Sequence, residues 1–364
     1  MTKKILLACG LLIGSLIMWF GIGWYINDVI SSRKLEGFKD DLVKVAWSPD
    51  GKILATAAKT ERSIRLWSPD GKLIDTITDP DWYVVYDFVW SPDSKLIAAA
   101  PDYRGLAIVN IENKTTIKLI SHTASVRTLA WSPNGKTLAT ASSDYKDNTV
   151  RLWSKDGNLL ATLEGHIDTV TGLAWSPDGK ILASGSSNIR DGTVKLWTGT
   201  GELITTLNVD QSNDAGSLSW SPDSKILAMA ASESSVGLWS RENNLLDTIR
   251  VPEIVASFAW SPDGTKLVGG SSGGTMRLWD RQGKLLVQDK RQKYDVSQVA
   301  WSPDGQMFAS ASWDSTIQIW DSNGSFIKAL EGHKENIETI SWSPDSTKLA
   351  SGSRDRTVRI WKIK

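Results

Sequence analysis

The 364-residue chain contains only one cysteine, Cys9, and three histidines. A single cysteine excludes an intrachain disulfide and a cysteine metal site. Basic and acidic side chains are equal in number, 41 each, and no run of Lys or Arg is present to displace counterions from a phosphate backbone. We therefore expect no nucleic-acid partner. The chain also lacks zinc-ligand spacing and a Gly-rich phosphate loop, so we expect neither a metal nor a cofactor.

Long uncharged runs are equally scarce, and the exception is residues 5–26, ILLACGLLIGSLIMWFGIGWYI. As a helix this run would span roughly 33 Å, enough to cross the hydrocarbon core of a bilayer. We expect a single-pass N-terminal signal anchor here, after a short tail at 1–4 and before a juxtamembrane linker at 27–32. Two alternatives are a cleaved signal peptide and lipidation at Cys9.

Tryptophan is abundant, with 19 residues, and many of them belong to a repeated phrase. Trp-Ser-Pro followed by Asp or Asn starts at Trp47, Trp67, Trp90, Trp131, Trp175, Trp220, Trp260, Trp301 and Trp342. All copies except Trp67 are spaced by 40–45 residues. This period is typical of stacked supersecondary units, and it predicts eight repeats.

Each repeat has the pattern of four short strands. Residues 166–197 alternate apolar and polar side chains in three runs, and a fourth run follows, as in 158–165. The Ser-Pro-Asp-Gly between the first two runs suits a type I turn. A four-stranded antiparallel sheet repeated eight times protects its edges by closing into a ring. We predict an all-β, eight-bladed β-propeller over residues 33–364.

The repeats resemble those of the WD40-repeat family, in a bacterial-type, membrane-anchored form. The resemblance rests on Glu-Gly-His at 164–166 and 331–333, and on Asp-x-Thr-(Val/Ile)-x-(Leu/Ile)-Trp at 147–153, 191–197, 314–320 and 355–361. It implies a platform for protein partners, and we expect no enzymatic activity.

All three histidines keep the phase of the repeat, nine residues before a Trp-Ser-Pro tryptophan, which a catalytic or metal-binding histidine has no reason to do. The resemblance assigns them to structural hydrogen-bond chains within blades. The predicted chains are His122, Thr140, Asp147 and Trp153; His166, Ser184, Asp191 and Trp197; and His333, Ser351, Asp355 and Trp361. A repeated buried network lacks the exposed nucleophile that a hydrolase triad requires, so we expect no catalytic residues.

The eighth repeat stops after its third strand, at Trp361. Residues 33–38 align with residues 328–333 and are predicted to supply the missing outer strand, closing the ring. A linker of about six residues then allows a tether of roughly 20 Å between the predicted anchor and the ring. The Gly-His loops are expected to point away from the membrane. Charges flank the apolar run on both sides, and they weakly favour an extracytoplasmic propeller over a cytoplasmic one.

Irregular repeats are the better candidates for a binding surface, because the regular ones are explained by the scaffold. Trp, Tyr and basic side chains, which often dominate interfaces, occur there. The candidate partner-binding residues are Trp82, Tyr83, Tyr103, Arg104, Tyr145, Lys146, Arg190, Trp313 and Arg354. As an alternative, Trp82 and Tyr83 fill space left by a missing hydrogen-bond chain.

The predicted function is a membrane-anchored, monomeric scaffold that binds a protein or peptide through the face carrying the Gly-His and Asp-x-Thr loops. The alternative is an exported propeller with an enzymatic or small-ligand site in its central channel, which the fold alone does not exclude.

Overall fold

The computed structural model describes residues 32–101, 105–120, 122–142, 146–186, 190–208, 217–232 and 235–364. Their strands form eight four-stranded sheets. Blades 1 to 4 contain, from the inner to the outer strand, β2 Leu42–Trp47, β3 Leu54–Ala58, β4 Ser63–Trp67 and β5 Leu73–Thr78; β6 Asp87–Trp90, β7 Leu96–Ala100, β8 Gly105–Asn110 and β9 Thr116–Ile120; β10 Val126–Trp131, β11 Thr137–Ser142, β12 Val150–Ser154 and β13 Leu159–Leu163; β14 Val170–Trp175, β15 Ile181–Ser186, β16 Thr193–Thr198 and β17 Leu203–Asn208.

Blades 5 to 7 have the same order, and the last blade lacks a fourth strand of its own. These strands are β18 Leu218–Trp220, β19 Ile226–Ser232, β20 Ser235–Ser240 and β21 Leu245–Arg250; β22 Val255–Trp260, β23 Lys266–Ser271, β24 Met276–Asp280 and β25 Leu285–Asp289; β26 Val296–Trp301, β27 Met307–Ser312, β28 Ile317–Asp321 and β29 Phe326–Leu330; β30 Ile337–Trp342, β31 Lys348–Ser353 and β32 Val358–Lys362. A short 3-10 turn, Ser272–Gly274, follows β23. The predicted eight-bladed propeller of antiparallel four-stranded blades is confirmed.

The ring is closed by strand β1, Ser32–Leu35, which lies beside β32 in the sheet order β1-β32-β31-β30. The outer strand of blade 8 therefore comes from the other end of the chain. Leu35 is buried and joins a core cluster that contains Leu42 and Trp47 of blade 1 and Val358 of blade 8. Hydrophobic contact between the first and last blades thus supports the closure.

The core lies between the blades. Second strands such as β3 and β15 are buried at every position, because each blade face packs against a neighbouring blade. Inner strands alternate in burial, and outer strands such as β5 are mostly exposed. The alternation along the inner strands matches the period-2 pattern of the sequence.

The Trp-Ser-Pro tryptophans join neighbouring blades. Six of the eight in-phase copies donate the indole N–H to a backbone carbonyl of the preceding inner strand, at 3.1–3.2 Å. Trp342, for example, donates to Ala300 O at 3.1 Å. The buried indole nitrogens of Trp47 and Trp131 find no partner within the described part of the chain.

The Ser-Pro-Asp turn is held by its own side chains. In blade 4, Ser176 Oγ donates to Asp178 Oδ1 at 2.7 Å and accepts the N–H of Ile181 at 3.0 Å. Gly179 follows with φ 69°, in the left-handed region that favours glycine. The in-phase phrase is therefore a turn that in six blades also carries a joint to the preceding blade, whereas Trp67 ends a third strand and donates to Thr56 of its own blade at 2.9 Å.

The propeller has two distinct faces. Inner and third strands run parallel to each other, since both are antiparallel to the second strand, so the turns that follow them lie at one face. We call this the turn face. The opposite, loop face carries the loops between second and third strands and those that connect consecutive blades.

Residues 34–364 form one compact unit. Strand β1 begins at Ser32, which the sequence assigned to the linker. The predicted anchor at 5–26 lies outside the described residues, among which no helix has the length and apolar character needed to cross a membrane.

Candidate functional site

The predicted hydrogen-bond chain of blade 4 connects two strands and two loops. His166 Nδ1 lies 2.9 Å from Asp191 Oδ2, and His166 Nε2 lies 2.8 Å from Ser184 Oγ. Ser184 Oγ also accepts the indole N–H of Trp197 at 2.8 Å. With Nδ1 donating to the carboxylate, Nε2 is left to accept the serine proton. The chain therefore ties the loop before the inner strand to the second and third strands.

Blades 3 and 8 repeat this arrangement. In blade 3, His122 lies 3.1 Å from Asp147 and 2.9 Å from Thr140, which accepts from Trp153 at 3.0 Å. In blade 8 the corresponding contacts of His333 are 2.9 Å to Asp355 and 2.7 Å to Ser351, and Trp361 donates to Ser351 at 2.8 Å. The structure thus brings together all twelve residues assigned to these chains.

Protonation in these chains is set by burial and hydrogen bonding. Burial opposes ionisation of Asp147, Asp191 and Asp355, but hydrogen bonds from the histidine and a threonine outweigh it and lower each pKa well below its usual value. Burial also lowers the pKa of His333, although Asp355 partly opposes this shift. In blade 8 a neutral His333 imidazole beside an anionic Asp355 carboxylate follows, with the histidine side chain fully shielded from solvent. Such a buried pair is suited to holding loops in place.

Blade 7 contains a fourth chain, built on glutamine, that the sequence analysis missed. Ser310 Oγ donates to Gln292 Oε1 at 2.9 Å and accepts the indole N–H of Trp320 at 3.0 Å. The backbone N–H of Lys293 donates to Asp314 at 2.9 Å, as its counterparts do in the histidine blades. Gln292 stands nine residues before Trp301, so the repeat phase was the signal that could have identified it.

Blades 1 and 6 replace the chain with other interactions. In blade 1, Phe38 occupies the histidine position, with its ring centroid 5.9 Å from that of Trp67, and Glu61 accepts the N–H of Lys39 at 2.6 Å. In blade 6 the almost fully buried Arg277 forms an ion pair with Glu253 and donates to Ser271 at 3.0 Å. Blades 1 and 6 thus fasten their loop-face ends by contacts that differ from those of the histidine blades and from each other.

Trp82, a candidate partner-binding residue, is buried in the core of blade 2. Its side chain is 3% exposed and belongs to a cluster with Phe88, Ala99 and Val109. Ala99 and Val109 occupy the positions that hold serine or threonine and tryptophan in the regular blades. Trp82 therefore fills the space left by the missing hydrogen-bond chain, and it exposes almost no surface to a partner.

The remaining candidates fall into four groups, of which three are described first. Tyr83 is 60% exposed, and the Arg62 guanidinium lies 4.9 Å from its ring centroid. Lys146 and Arg190 are exposed in the loops of blades 3 and 4. Tyr103, Arg104 and Tyr145 lie outside the described residues.

Trp313 and Arg354 lie together at the loop face. The Arg354 guanidinium is 5.5 Å from the Trp313 ring centroid, and Glu338 accepts from Arg354 Nε at 2.6 Å. Trp313 is 38% exposed, which is unusual for so large an apolar side chain. A stacked cation and an exposed indole are features of protein interfaces.

Two further exposed apolar residues extend this surface, and the sequence analysis missed both. Ile254 and Tyr294 precede the inner strands of blades 6 and 7 and are 49% and 63% exposed. Asp295, next to Tyr294, connects the neighbouring loops. Its carboxylate accepts the N–H of Gly273 in blade 6 at 2.8 Å, and its backbone carbonyl accepts the N–H of Trp313 in blade 7 at 3.0 Å. We define Ile254, Tyr294, Trp313 and Arg354 as the loop-face patch.

A second apolar surface lies at the circumference, next to the turn face. In six outer strands the first two residues are both large, apolar and 39–56% exposed. These pairs are Leu73 and Ile74, Leu159 and Leu160, Leu203 and Ile204, Leu245 and Leu246, Leu285 and Leu286, and Phe326 and Ile327. Strand β9 contributes Ile117. We define these residues as the apolar rim.

Within the described residues no group of three His, Cys, Asp or Glu side chains is arranged to hold a metal ion. The closed ring of four-stranded blades, with its buried His-Asp-Ser/Thr-Trp chains, defines a WD-repeat β-propeller.

Comparison with known proteins agrees with this class. The family model described as the IFT122 first beta-propeller matches residues 145–326, which is half of the chain. The model described as WD domain, G-beta repeat, matches residues 30–68, 113–154 and 324–362. The chain belongs to the WD40-repeat β-propellers and, within them, to the family of the IFT122 first β-propeller. Propellers with these repeats generally act as non-enzymatic scaffolds for protein interaction.

No curated protein matches the chain. Among solved structures, the computationally designed Ika8 protein is similar, with a TM-score of 0.79 and 22% sequence identity over 91% of this chain and 98% of that chain. At this identity the similarity concerns the fold alone.

Proposed function

We propose that this protein is a scaffold that binds a protein partner through the loop-face patch of blades 6 to 8. The observation that carries the proposal is that four exposed side chains, two of them aromatic, stand on loops of adjacent blades that are hydrogen-bonded to one another. Interfaces concentrate their binding energy in such aromatic and arginine side chains.

The loops that carry the patch are held in place before any partner binds. Ser312 Oγ donates to Tyr294 O at 2.9 Å, and the N–H of Ser272 donates to Ile254 O at 2.9 Å. Fixed loops reduce the ordering cost of association. The patch is therefore suited to binding with little rearrangement.

The charges around the patch indicate the chemistry of the partner. Lys293, Lys334 and Arg356 are exposed on these loops of blades 7 and 8 and outnumber the exposed acidic side chains there, Glu331 and Glu335, whereas Glu338 is already paired with Arg354. A partner that places an apolar group on Tyr294 and Trp313, and acidic side chains beside it, would complement this surface.

We further propose that residues 5–26 anchor the protein in a membrane, on the strength of the 22-residue uncharged run. Resistance of the full chain to alkaline carbonate extraction would support the anchor, and release by carbonate would contradict it. Labelling of an introduced Arg354→Cys with an impermeant reagent, before and after lysis, would assign the side of the membrane.

Site-specific photo-crosslinking tests the patch. A benzophenone amino acid at Tyr294 should capture a defined protein, whereas the same group at Tyr83 should not. Tyr83 is a matched control because it is 60% exposed, against 63% for Tyr294, and lies at the loop face of blade 2. Capture at Tyr83 alone would move the binding surface to blade 2, and capture at neither position would refute the proposal.

A further inference from the structure

We propose that the apolar rim rests in the headgroup layer of a lipid bilayer, with the turn face of the propeller lying flat on the membrane. This inference rests on the proposed anchor at 5–26, and it concerns a different surface from the loop-face patch.

Most outer strands are held in place by an apolar residue near the loop-face end. Examples are Leu207 in β17 and Ile249 in β21, which are 1% and 5% exposed. At the other end of the same strands, Leu203 and Ile204, and likewise Leu245 and Leu246, remain about half exposed. Consecutive residues of a strand point to opposite sides, so both sides of the blade edge are apolar there.

The depth of the rim fits the thickness of a headgroup layer. The rim follows directly after the turn between third and outer strands, so it lies about two residues, or roughly 7 Å, from the turn face. The polar layer on each side of a bilayer is about 5–7 Å thick. With the turn face among the headgroups, the rim would reach the boundary of the acyl chains, where apolar side chains of peripheral proteins insert.

The course of the chain indicates why the rim meets lipid rather than another protein. The outer strand of blade 8 is β1, which begins at Ser32 on the turn-face side, as the other outer strands do. The uncharged run ends at Ile26, and fewer than ten residues separate it from Ser32. An anchored chain thus enters the ring on the side that carries the rim. An apolar surface of this extent on a soluble ring would otherwise favour association.

Lipid quenching of site-specific labels tests the proposal on the full chain. In a Cys9→Ser background, single cysteines replace Ile204 and Leu246 on the rim, and Asn208 and Arg250 at the loop-face ends of the same strands. Each is labelled with the environment-sensitive dye NBD and reconstituted into phosphatidylcholine vesicles with or without brominated acyl chains. We expect quenching by brominated lipid to be at least about threefold stronger at the rim than at the matched loop-face positions.

Equal quenching at both ends of a strand, or none at either, would overturn the proposal. A blue-shifted NBD emission at the rim without bromine quenching would show that a protein, such as a second copy of this chain, covers the rim, and would overturn it as well. A label at Ser15→Cys separates this result from the anchor. Quenching at Ser15→Cys without quenching at the rim refutes only the rim, and no quenching at Ser15→Cys refutes the anchor.

Discussion

The joints between blades can be tested by comparing two tryptophans that differ in one hydrogen bond. Trp342 and Trp131 are 7% and 8% exposed and occupy the same position in their repeats. Trp342 donates to Ala300 O, whereas the indole nitrogen of Trp131 has no partner in the described structure. Replacing each with phenylalanine removes similar ring atoms, so the packing losses largely cancel in the comparison.

The remaining difference comes from the hydrogen bond. Trp342→Phe loses it, which costs about 0.5–1.5 kcal/mol, while Ala300 keeps its pairing with Ala309 in the sheet. Trp131→Phe removes a buried N–H that was already unpaired and recovers a similar amount. We therefore expect the free energy of unfolding to fall by at least about 1.5 kcal/mol more for Trp342→Phe.

Urea unfolding followed by far-UV circular dichroism measures this difference as a shift in midpoint, which remains usable if an eight-blade ring departs from two-state behaviour. Trp47→Phe serves as a second control and should behave like Trp131→Phe, because its indole nitrogen is also unpaired among the described residues. Equal midpoints for Trp342→Phe and Trp131→Phe would refute the view that the indole bond joins the blades.

Three further predictions concern the loop-face ends of the blades. In urea unfolding, Gly274→Ala should lower the free energy of unfolding more than Gly273→Ala does, by about 2 kcal/mol or more. Both glycines have positive φ, but a Cβ at Gly274 would lie 2.0 Å from a backbone oxygen, whereas the atom nearest to a Cβ at Gly273 is 3.9 Å away. Trp82→Ala should cost about 3–5 kcal/mol and Tyr83→Ala less than about 1 kcal/mol, and similar thermal midpoints for the two variants would contradict the burial of Trp82. The folded state lowers the pKa of His333 and of the three chain aspartates. The free energy of unfolding should therefore be at its full value above pH 6.5, fall below that pH as unfolded His333 takes up a proton, and fall further below about pH 4. His333→Gln, which copies blade 7, should remove the first phase in acid titrations, and persistence of that phase would refute the assignment to His333.

The periodic features of the fold could be predicted from the sequence because each depends on local chemistry repeated in register. Turn residues after each Trp-Ser-Pro tryptophan mark the strand ends, and the spacing gives the number of blades. The closing strand could be identified because residues 33–38 align with an outer strand elsewhere in the chain. The histidine chains depended on the resemblance to a known repeat.

The features that were missed depend on contacts between distant segments. The pairing of Arg277 with Glu253 replaces the regular chain of blade 6 and has no counterpart in repeat phase. The solvent exposure of aromatic side chains could not be predicted from the sequence either. Trp82 and Tyr294 both occupy loop positions before an inner strand, yet Trp82 is buried and Tyr294 is largely exposed. The acceptors of the indole N–H groups lie one blade away, and only the three-dimensional arrangement reveals them.

Because strand β1 comes from the opposite end of the chain to its partner β32, the two strands can pair only late in biosynthesis. Its partner, β32, ends at Lys362, so about 330 residues are synthesised between the two strands. At about 5–20 residues per second, β1 waits roughly 15–65 s on the ribosome before its partner exists. Throughout this interval strand β1, which carries Leu35, has no sheet to join, and the face of blade 1 that packs against blade 8 is uncovered. The protein is thus most exposed to mispairing while it is being made, and the ring becomes a closed object only when the last blade emerges.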